Sequence, residues 1–393
     1  MLADRLKENG QDDTNIWTGC KKDPTFIVVN RTGTNRTNIP YRHSAFAHEL
    51  FHSVQHNYDT QGCVETSYKW LMESTATWFE DELYPAVNRE HSFAPFYLNT
   101  TMQSIDAKDV AERNYGAYVF FFYLTRIRKP PATDAVRFVW EATESADALH
   151  ALDAGLKKAG APLEKSWPDF AVYNWNVDAP YNLYKTIPSD AKLEDLTDEA
   201  DIEETIKISV PNGDEKDELG THQFSGNGQV LAPHLSMQYY QFDFPDATAS
   251  SVVFYNGFQR ALNTKAVTWI ANFGNILTAT PVSDPASIKG AHVDALLKIK
   301  GIWTHEDWTG EPFKTYCRDL TAERIESLVI ILSNSDIASL LEPRGKYGPI
   351  VQTTNIGCYR WEGTADLTNN DGFGRIEKMT VSDLRLEAQG RRS

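Results

Sequence analysis

The most informative stretch of this sequence is Ala47-His48-Glu49-Leu50-Phe51-His52-Ser53-Val54-Gln55-His56. It contains the pattern His-Glu-x-x-His over residues 48–52. On a helix, residues four apart lie one turn apart on one face, so His48 and His52 can each direct a ring nitrogen at one metal ion. Glu49 is rotated by about 100° from His48, so its carboxylate can reach a water molecule on that ion without binding the ion. The spacing therefore predicts a helix with a zinc site and Glu49 as general base.

The residues around the motif favour this interpretation over two histidines that only pack against their neighbours. Phe46, Leu50, Phe51 and Val54 predict a mostly apolar, buried helix. Two histidines and a glutamate in such a helix cost considerable free energy unless they are paired or bind a metal ion. We therefore expect a bound Zn²⁺ ion.

A catalytic zinc ion usually has three protein ligands and a water molecule. His56 follows the motif at the same four-residue step, but it lies about 12 Å along a straight helix from His48. Asp59, beyond the expected helix end, is a weaker alternative. Glu73 is the favoured third ligand, because it lies on the next predicted helix, and a tight connection makes the two helices antiparallel neighbours. Its flanking residues are largely apolar, so its burial without a cation would be costly.

The pattern His48-Glu49-x-x-His52, followed about twenty residues later by a helical Glu73, resembles the gluzincin zinc metallopeptidases. The resemblance in specific motifs covers residues 41–125. Residues 48–55 and 70–78 are also similar to microbial gluzincin-like proteins that carry a β-sandwich after the helical domain. The resemblance implies that His48, His52 and Glu73 bind zinc and that the first domain has a zincin-like fold.

This chain also departs from the family pattern. In the thermolysin-like branch, an Asp four residues after the ligand glutamate orients a zinc-binding histidine, whereas Thr77 occupies that position here. A different group must therefore hold the histidine. For Glu80 and Glu82, further along the same helix, we expect exposed positions. The exopeptidase motif of the aminopeptidase branch is not evident, which favours an endopeptidase and leaves an exopeptidase as the alternative.

The oxyanion of a peptide-bond hydrolysis needs a hydrogen-bond donor besides the metal. Gluzincins commonly use a Tyr or His from a later segment, and Tyr115 is the candidate that we assign to this role. Tyr118 is an alternative, and His91 is a more distant one. For each tyrosine, the competing interpretation is an ordinary residue of the core.

The sequence predicts an α+β multidomain protein. Residues 1–185 are expected to form a mainly helical catalytic domain. Within it we predict a strand over 25–30, then the motif helix over 41–57, and then a second helix over 66–83. Residues 186–204 are rich in Asp and Glu and predict an acidic connector. Residues 205–393 contain alternating and β-branched runs, which predict an antiparallel β-sandwich domain of about 7–9 strands. This domain is a candidate for binding the substrate or a surface ligand.

Composition limits the partners of this protein. Its 393 residues include 38 Lys and Arg and 54 Asp and Glu, so the net charge of −16 disfavours nucleic acid and anionic membranes. We find no apolar run of the length that spans a bilayer. The expected partner is a protein or peptide substrate.

The four cysteines bear on the cellular compartment. Cys20 and Cys63 flank the motif helix, whereas Cys317 and Cys358 lie near the far end of the chain. The pairing 20–63 with 317–358 keeps each disulfide within one region and suits an exported protein, and four reduced buried thiols are the alternative. The first residues show no signal peptide. Because zinc peptidases of this kind usually have a sheet before the motif helix, we expect upstream sequence with an export signal and a secreted or extracellular protein.

These observations predict a zinc metallopeptidase. The alternatives are a non-catalytic binding or adhesion protein with a structural zinc ion, and a zinc hydrolase that acts on a non-peptide bond. The presence of Glu49 favours catalysis, because a structural zinc site does not need this residue.

Overall fold

The chain has a mixed α+β structure that separates into two compact units, Met1–Glu203 and Glu204–Ser393. The computed structural model describes residue 27 and residues 39–60, 65–107, 112–175, 206–209, 221–225, 233–244, 251–255, 266–271, 290–309, 313–317, 324–338, 350–354, 361–366 and 378–380. The predicted acidic connector and the predicted strand over 25–30 apart from Ile27 lie outside the described residues. Each predicted disulfide also has at least one cysteine outside them, because Cys20, Cys63 and Cys358 are not described.

The first unit is helical in its described part. Its helices are α1 (Ile39–Gln55), α2 (Glu65–Leu83), α3 (Ala94–Leu98), α4 (Arg113–Gly116), α5 (Tyr118–Phe122), α6 (Ala135–Ala142), α7 (Ala148–Lys158) and α8 (Leu163–Tyr173), with a 3-10 turn at Glu90–Phe93 and a π-helical turn at Tyr123–Ile127. The two helices predicted at and after the motif are confirmed as α1 and α2.

Helices α1 and α2 lie side by side and run antiparallel, as predicted. Gln55 near the end of α1 donates a hydrogen bond to the Met72 carbonyl. Ser44, about three turns earlier on α1, donates one to Glu80 near the end of α2. Residues earlier in α1 therefore contact residues later in α2. Residues 48 and 52 of α1 face the part of α2 between Met72 and Glu80.

Burial of α1 is one-sided, so the prediction of a wholly buried motif helix was wrong. Phe46, Leu50 and Val54 are 43%, 37% and 42% exposed, whereas Phe51 is buried. The three exposed residues are spaced four apart and form one stripe on the face away from His48. The cost of burying polar groups therefore applies only to the face that packs on α2.

An aromatic core lies behind this helix pair. Its largest fully buried side chains include Trp167, Trp175, Phe120 and Tyr97. Trp140 also belongs to the buried aromatic residues, and Trp140, Trp167 and Trp175 are each at most 2% exposed.

The second unit is built from β-strands. They are β1 (Ile206–Ser209), β2 (Thr221–Ser225), β3 (Ser236–Asp243), β4 (Ser251–Tyr255), β5 (Ala266–Ala271), β6 (Ala291–Ile299), β7 (Ile302–Asp307), β8 (Phe313–Cys317), β9 (Ile325–Asn334), β10 (Ile350–Thr354), β11 (Trp361–Asp366) and β12 (Lys378–Thr380).

The strands form three sheets in the described part of this unit. The five-stranded sheet has the order β1-β3-β9-β6-β7, the four-stranded sheet β2-β10-β4-β8 and the three-stranded sheet β12-β11-β5. The pairs are antiparallel except β1–β3, which is parallel. This exception departs from the predicted all-antiparallel arrangement, and the twelve described strands exceed the predicted 7–9. A compact apolar cluster that includes Phe242, Leu297 and Ile330 packs on the five-stranded sheet.

Within the described segments, no helix combines the length and the apolar character that crossing a membrane requires.

Gly155 permits the close packing of α7 on α6. A Cβ atom at this position would lie 2.5 Å from both the backbone nitrogen and the Cα of Val139. We expect Gly155→Ala to lower the free energy of unfolding by about 1–3 kcal/mol, because backbone atoms cannot move aside as a flexible side chain can. The measurement is chemical denaturation followed by far-UV circular dichroism. Ala154→Ser, at the exposed neighbouring position, is the control and should change stability by about 0.5 kcal/mol. Equal stability of the two variants would contradict the tight contact.

Candidate metal centre

Three predicted ligands converge between α1 and α2. The Nε2 atom of His48 lies 3.2 Å from Oε2 of Glu73, and the Nε2 atom of His52 lies 3.6 Å from the same oxygen. One ligand atom from each of the three residues lies within 4.8 Å of the others. Among the described residues, this is the one group of three or more His, Cys, Asp or Glu side chains that could hold a metal ion.

The separations of these atoms suit a tetrahedral ion. Ligand atoms about 2.1 Å from a tetrahedral metal are about 3.4 Å from one another. The distances of 3.2 Å and 3.6 Å between the histidine nitrogens and Glu73 lie on either side of this value. The three residues therefore fit a small divalent cation that accepts nitrogen and oxygen ligands.

Glu80 accepts a hydrogen bond from the ring nitrogen of His48 that is directed away from Glu73. Its Oε1 lies 2.9 Å from Nδ1 of His48, and its Oε2 accepts a hydrogen bond of 2.5 Å from the Ser44 hydroxyl. An ionised carboxylate only accepts hydrogen bonds, so Nδ1 of His48 carries a hydrogen. In the neutral imidazole that can bind a metal ion, the lone pair then lies on Nε2, which is the atom that faces Glu73. Without a metal ion, Nε2 also carries a hydrogen and donates it to Glu73.

The charge of Glu80 is balanced by Arg89. The carboxylate is fully buried, and the Arg89 guanidinium pairs with it. Burial alone raises the pKa of Glu80, but His48, Arg89 and Ser44 together hold it below its usual value. A buried carboxylate without such partners would be strongly destabilising. The expectation that Glu80 is an exposed helix residue was therefore wrong.

Gln55 holds the second histidine. Its Oε1 accepts a hydrogen bond of 2.7 Å from Nδ1 of His52. Both histidines thus have a hydrogen-bond acceptor behind Nδ1 and present Nε2 to Glu73. The acceptor is a charged carboxylate for His48 and a neutral amide for His52.

The close approach of these groups shifts their pKa values. Burial lowers the pKa of His48, but the hydrogen bonds to Glu73 and Glu80 outweigh burial and raise it to about 9. For Glu73, burial raises the pKa, and the contacts with His48 and His52 hold it far below its usual value. Glu73 is therefore an ionised, acceptor-only group, as a metal ligand must be.

Tyr115 lies beside the same group of residues. Its ring stacks on His48 with 5.6 Å between centroids, and it also stacks on Phe93 with 4.9 Å between centroids. Burial, the negative charge of Glu73 and the hydrogen bond that the hydroxyl donates to Glu73 raise the pKa of Tyr115 well above its ordinary value. The hydroxyl therefore remains protonated at neutral pH and can act as a hydrogen-bond donor.

The other candidates differ in their surroundings. Glu49 is half-buried one residue after His48, and none of the described residues forms a hydrogen bond with its carboxylate. Tyr118 is buried in the core, and His91 lies near Glu90. His56 and Asp59 are not members of the group of three ligands.

Sequence reasoning missed the two side chains that hold the histidines. Glu80 follows Glu73 by seven residues, which is two helical turns, so both point to the same side of α2. This spacing was a usable signal, because a second carboxylate on the ligand face must have a partner. Gln55 follows His52 by three residues and shares its face, but an amide in that position gives no signal of its own.

In comparisons with protein-family models, curated proteins and solved structures, none matches this chain. The interpretation of the site therefore depends on its own geometry.

The role of Glu80 can be tested by Glu80→Gln. An amide cannot accept hydrogen bonds at both positions, so we expect the affinity for Zn²⁺ to fall by about 10–100-fold. The measurement is competition with a chromophoric chelator. Glu82→Gln is the matched control, because Glu82 is a partly exposed residue of the same helix that pairs with Arg126, and it should retain the parental affinity. A Glu80→Gln protein with the parental affinity would contradict the assigned role.

Proposed function

We propose that this protein is a zinc-dependent metallopeptidase that acts as an endopeptidase. The observation that carries the proposal is the convergence of the His48 and His52 Nε2 atoms on the Glu73 carboxylate, with both Nδ1 atoms hydrogen-bonded. Glu49 follows His48 directly and keeps a free carboxylate among the described residues. This combination supports a metal ion flanked by a general base.

The donor set favours zinc over other common ions. Two imidazole nitrogens and one carboxylate oxygen are ligands of the kind that Zn²⁺ takes in catalytic sites. Calcium and magnesium prefer sites made of oxygen atoms alone. The distances of 3.2 Å and 3.6 Å from the histidine nitrogens to Glu73 are compatible with this ion.

The number of ligands supports a catalytic site over a structural one. Structural zinc sites usually have four protein ligands, whereas catalytic sites have three and an open position. In the part of the chain that the structure describes, the group has three members, His48, His52 and Glu73. The alternatives of a zinc-containing adhesion protein and of a hydrolase for non-peptide bonds are tested by the experiments below.

In the proposed hydrolysis of a peptide bond, each residue of the site has a separate role. A zinc ion held by His48, His52 and Glu73 would supply Lewis acidity toward a water molecule and the substrate carbonyl oxygen. Glu49 takes a proton as the water oxygen attacks the carbonyl carbon, and it transfers this proton to the leaving amine as the C–N bond breaks. Tyr115 donates a hydrogen bond to the oxyanion of the tetrahedral intermediate.

The same proposal extends to the architecture and the compartment. We infer a zincin-like fold of the gluzincin type for the helical unit and a β-sandwich for the second unit, which would bind the substrate or a surface ligand. The first inference comes from the motif and its resemblance, and the second from the alternating and β-branched runs together with that resemblance. An exported protein is inferred from the four cysteines and the expected upstream sequence.

The general base is tested by Glu49→Gln. The amide cannot take a proton, so we expect peptide cleavage to fall by about 10²–10⁴-fold, while the content of one zinc ion per chain is retained. The measurements are metal analysis and cleavage of a quenched-fluorescent peptide library. Glu164→Gln, which changes an exposed carboxylate at the start of α8, is the control.

Three results would decide between the functions. Zinc binding without cleavage of any peptide by the parent protein would favour the binding-protein alternative. Cleavage of ester or amide substrates other than peptides would favour the second alternative. A parent protein that binds no zinc would falsify the central claim.

Tyr115 is tested by Tyr115→Phe. This change keeps the ring stacked on His48 and removes only the hydroxyl. We expect kcat to fall by about 10²-fold with little change in KM, because the donor acts on the oxyanion. Zinc affinity is measured in parallel, because the hydroxyl also forms a hydrogen bond with the ligand Glu73. An unchanged kcat would leave Tyr115 as a packing residue.

A further inference from the structure

The second histidine is connected to a helix outside the α1–α2 pair. Nδ1 of His52 lies 2.7 Å from Oε1 of Gln55, and Nε2 of Gln55 donates to Oγ1 of Thr75 at 2.9 Å. Nε1 of Trp140, on α6, donates to the same Thr75 oxygen at 3.1 Å. A continuous set of hydrogen bonds therefore runs from the candidate metal ligand to Trp140.

The direction of each hydrogen bond is fixed by its chemistry. Nε2 of Gln55 also donates to the Met72 carbonyl at 2.9 Å, and a carbonyl oxygen only accepts. This contact decides which end of the amide is the oxygen, so Oε1 must face His52. The Thr75 hydroxyl donates to the Leu71 carbonyl at 2.7 Å and uses its lone pairs for Gln55 and Trp140.

The three residues behind His52 are buried and have hydrogen-bond partners. Gln55, Thr75 and Trp140 are at most 2% exposed. A buried network in which every group has a partner has one favourable arrangement, whereas a partly satisfied one would be costly. A glutamate at position 55 would turn a carboxylate oxygen toward the Met72 carbonyl, so the surroundings require an amide.

We propose that Gln55, Thr75 and Trp140 form a positioning relay for His52. The relay fixes the Nδ1-protonated tautomer and the ring orientation, so that Nε2 is presented to the metal. It also keeps the support of His52 neutral, whereas His48 is held by the anionic Glu80. The two imidazoles thus differ as ligands, since a charged acceptor increases ligand basicity more than a neutral one. This inference rests on the metal site of the proposed function, and none of the three relay residues touches the substrate in that proposal.

The relay is tested at a residue that does not contact His52. Thr75→Val keeps the shape of the side chain and removes its hydrogen-bonding oxygen, whereas Thr75→Ser retains the oxygen. We expect Thr75→Val to weaken Zn²⁺ and Co²⁺ binding by about 10-fold and to alter the visible spectrum of the Co²⁺-loaded protein. Thr75→Ser should restore both to near the parental values. A purely structural role of Thr75 would change stability without changing the Co²⁺ spectrum.

A second variant acts at the remote end of the relay. Trp140→Phe removes the indole donor and should weaken metal binding by a smaller factor, about 2–5-fold. Trp167→Phe, at another fully buried tryptophan, controls for the loss of volume and should leave metal affinity and the Co²⁺ spectrum unchanged. Far-UV circular dichroism establishes that each variant is folded before it is compared.

The outcomes separate this inference from the peptidase proposal. Parental metal affinity and spectrum in both folded Thr75→Val and Trp140→Phe would overturn the relay, whatever the activity. If the parent binds metal and the variants weaken binding, but no peptide is cleaved, the relay stands and the peptidase proposal fails. If the parent binds neither Zn²⁺ nor Co²⁺, both fail. If Thr75→Val does not fold, the relay is tested by comparing Trp140→Phe with its control Trp167→Phe.

Discussion

The constraint on which the candidate site depends is the antiparallel contact between α1 and α2. It brings a face of α1 with two histidines against a face of α2 with two buried or half-buried carboxylates. His48 lies between Glu73 and Glu80, with one ring nitrogen toward each. A shift of one residue along either helix would rotate these groups by about 100° and separate them. The candidate metal site is therefore a property of the helix pair and of its register.

Charge balance explains why this contact is tolerated in the interior. Glu80 is offset by Arg89 and by hydrogen bonds from Ser44 and His48. Glu73 faces the two imidazoles. In the absence of a metal ion, the raised pKa of His48 keeps its imidazole protonated, and this positive charge balances the carboxylate. A divalent cation among the same groups would replace the proton as the balancing charge. The arrangement thus suits a metal ion electrostatically as well as geometrically.

The contacts behind the two histidines differ from the arrangement that the sequence resemblance implies. Thr77 occupies the position where a carboxylate would orient the histidine in the thermolysin-like branch, and it is fully buried here. Glu80, one turn further along α2, reaches His48 instead. On the other side, the amide of Gln55 is oriented by Met72 and Thr75 and supports His52. The two histidines are held by chemically different groups, which is the basis for their proposed difference as ligands.

The sequence alone predicted the parts that depend on local periodicity. The four-residue step from His48 to His52, the apolar spacing of α1 and α2 and the position of Glu73 on the second helix follow from the geometry of a single helix and a short connection. The same reasoning predicted strands over much of the second unit. It did not predict that β1 pairs parallel with β3, because the pairing partner of a strand is decided by contacts far apart in the chain.

Only the tertiary structure decided which side chains support the ligands and which face of α1 is buried. Glu80 and Glu82 are two residues apart and look equivalent in sequence, yet Glu80 meets His48, Ser44 and Arg89 while Glu82 meets Arg126 nearer the surface. Phe46, Leu50 and Val54 have the composition of a core face and are nevertheless exposed. Helical spacing determines the side of the helix from which each side chain projects. The packing of the other elements determines which residues it contacts on that side.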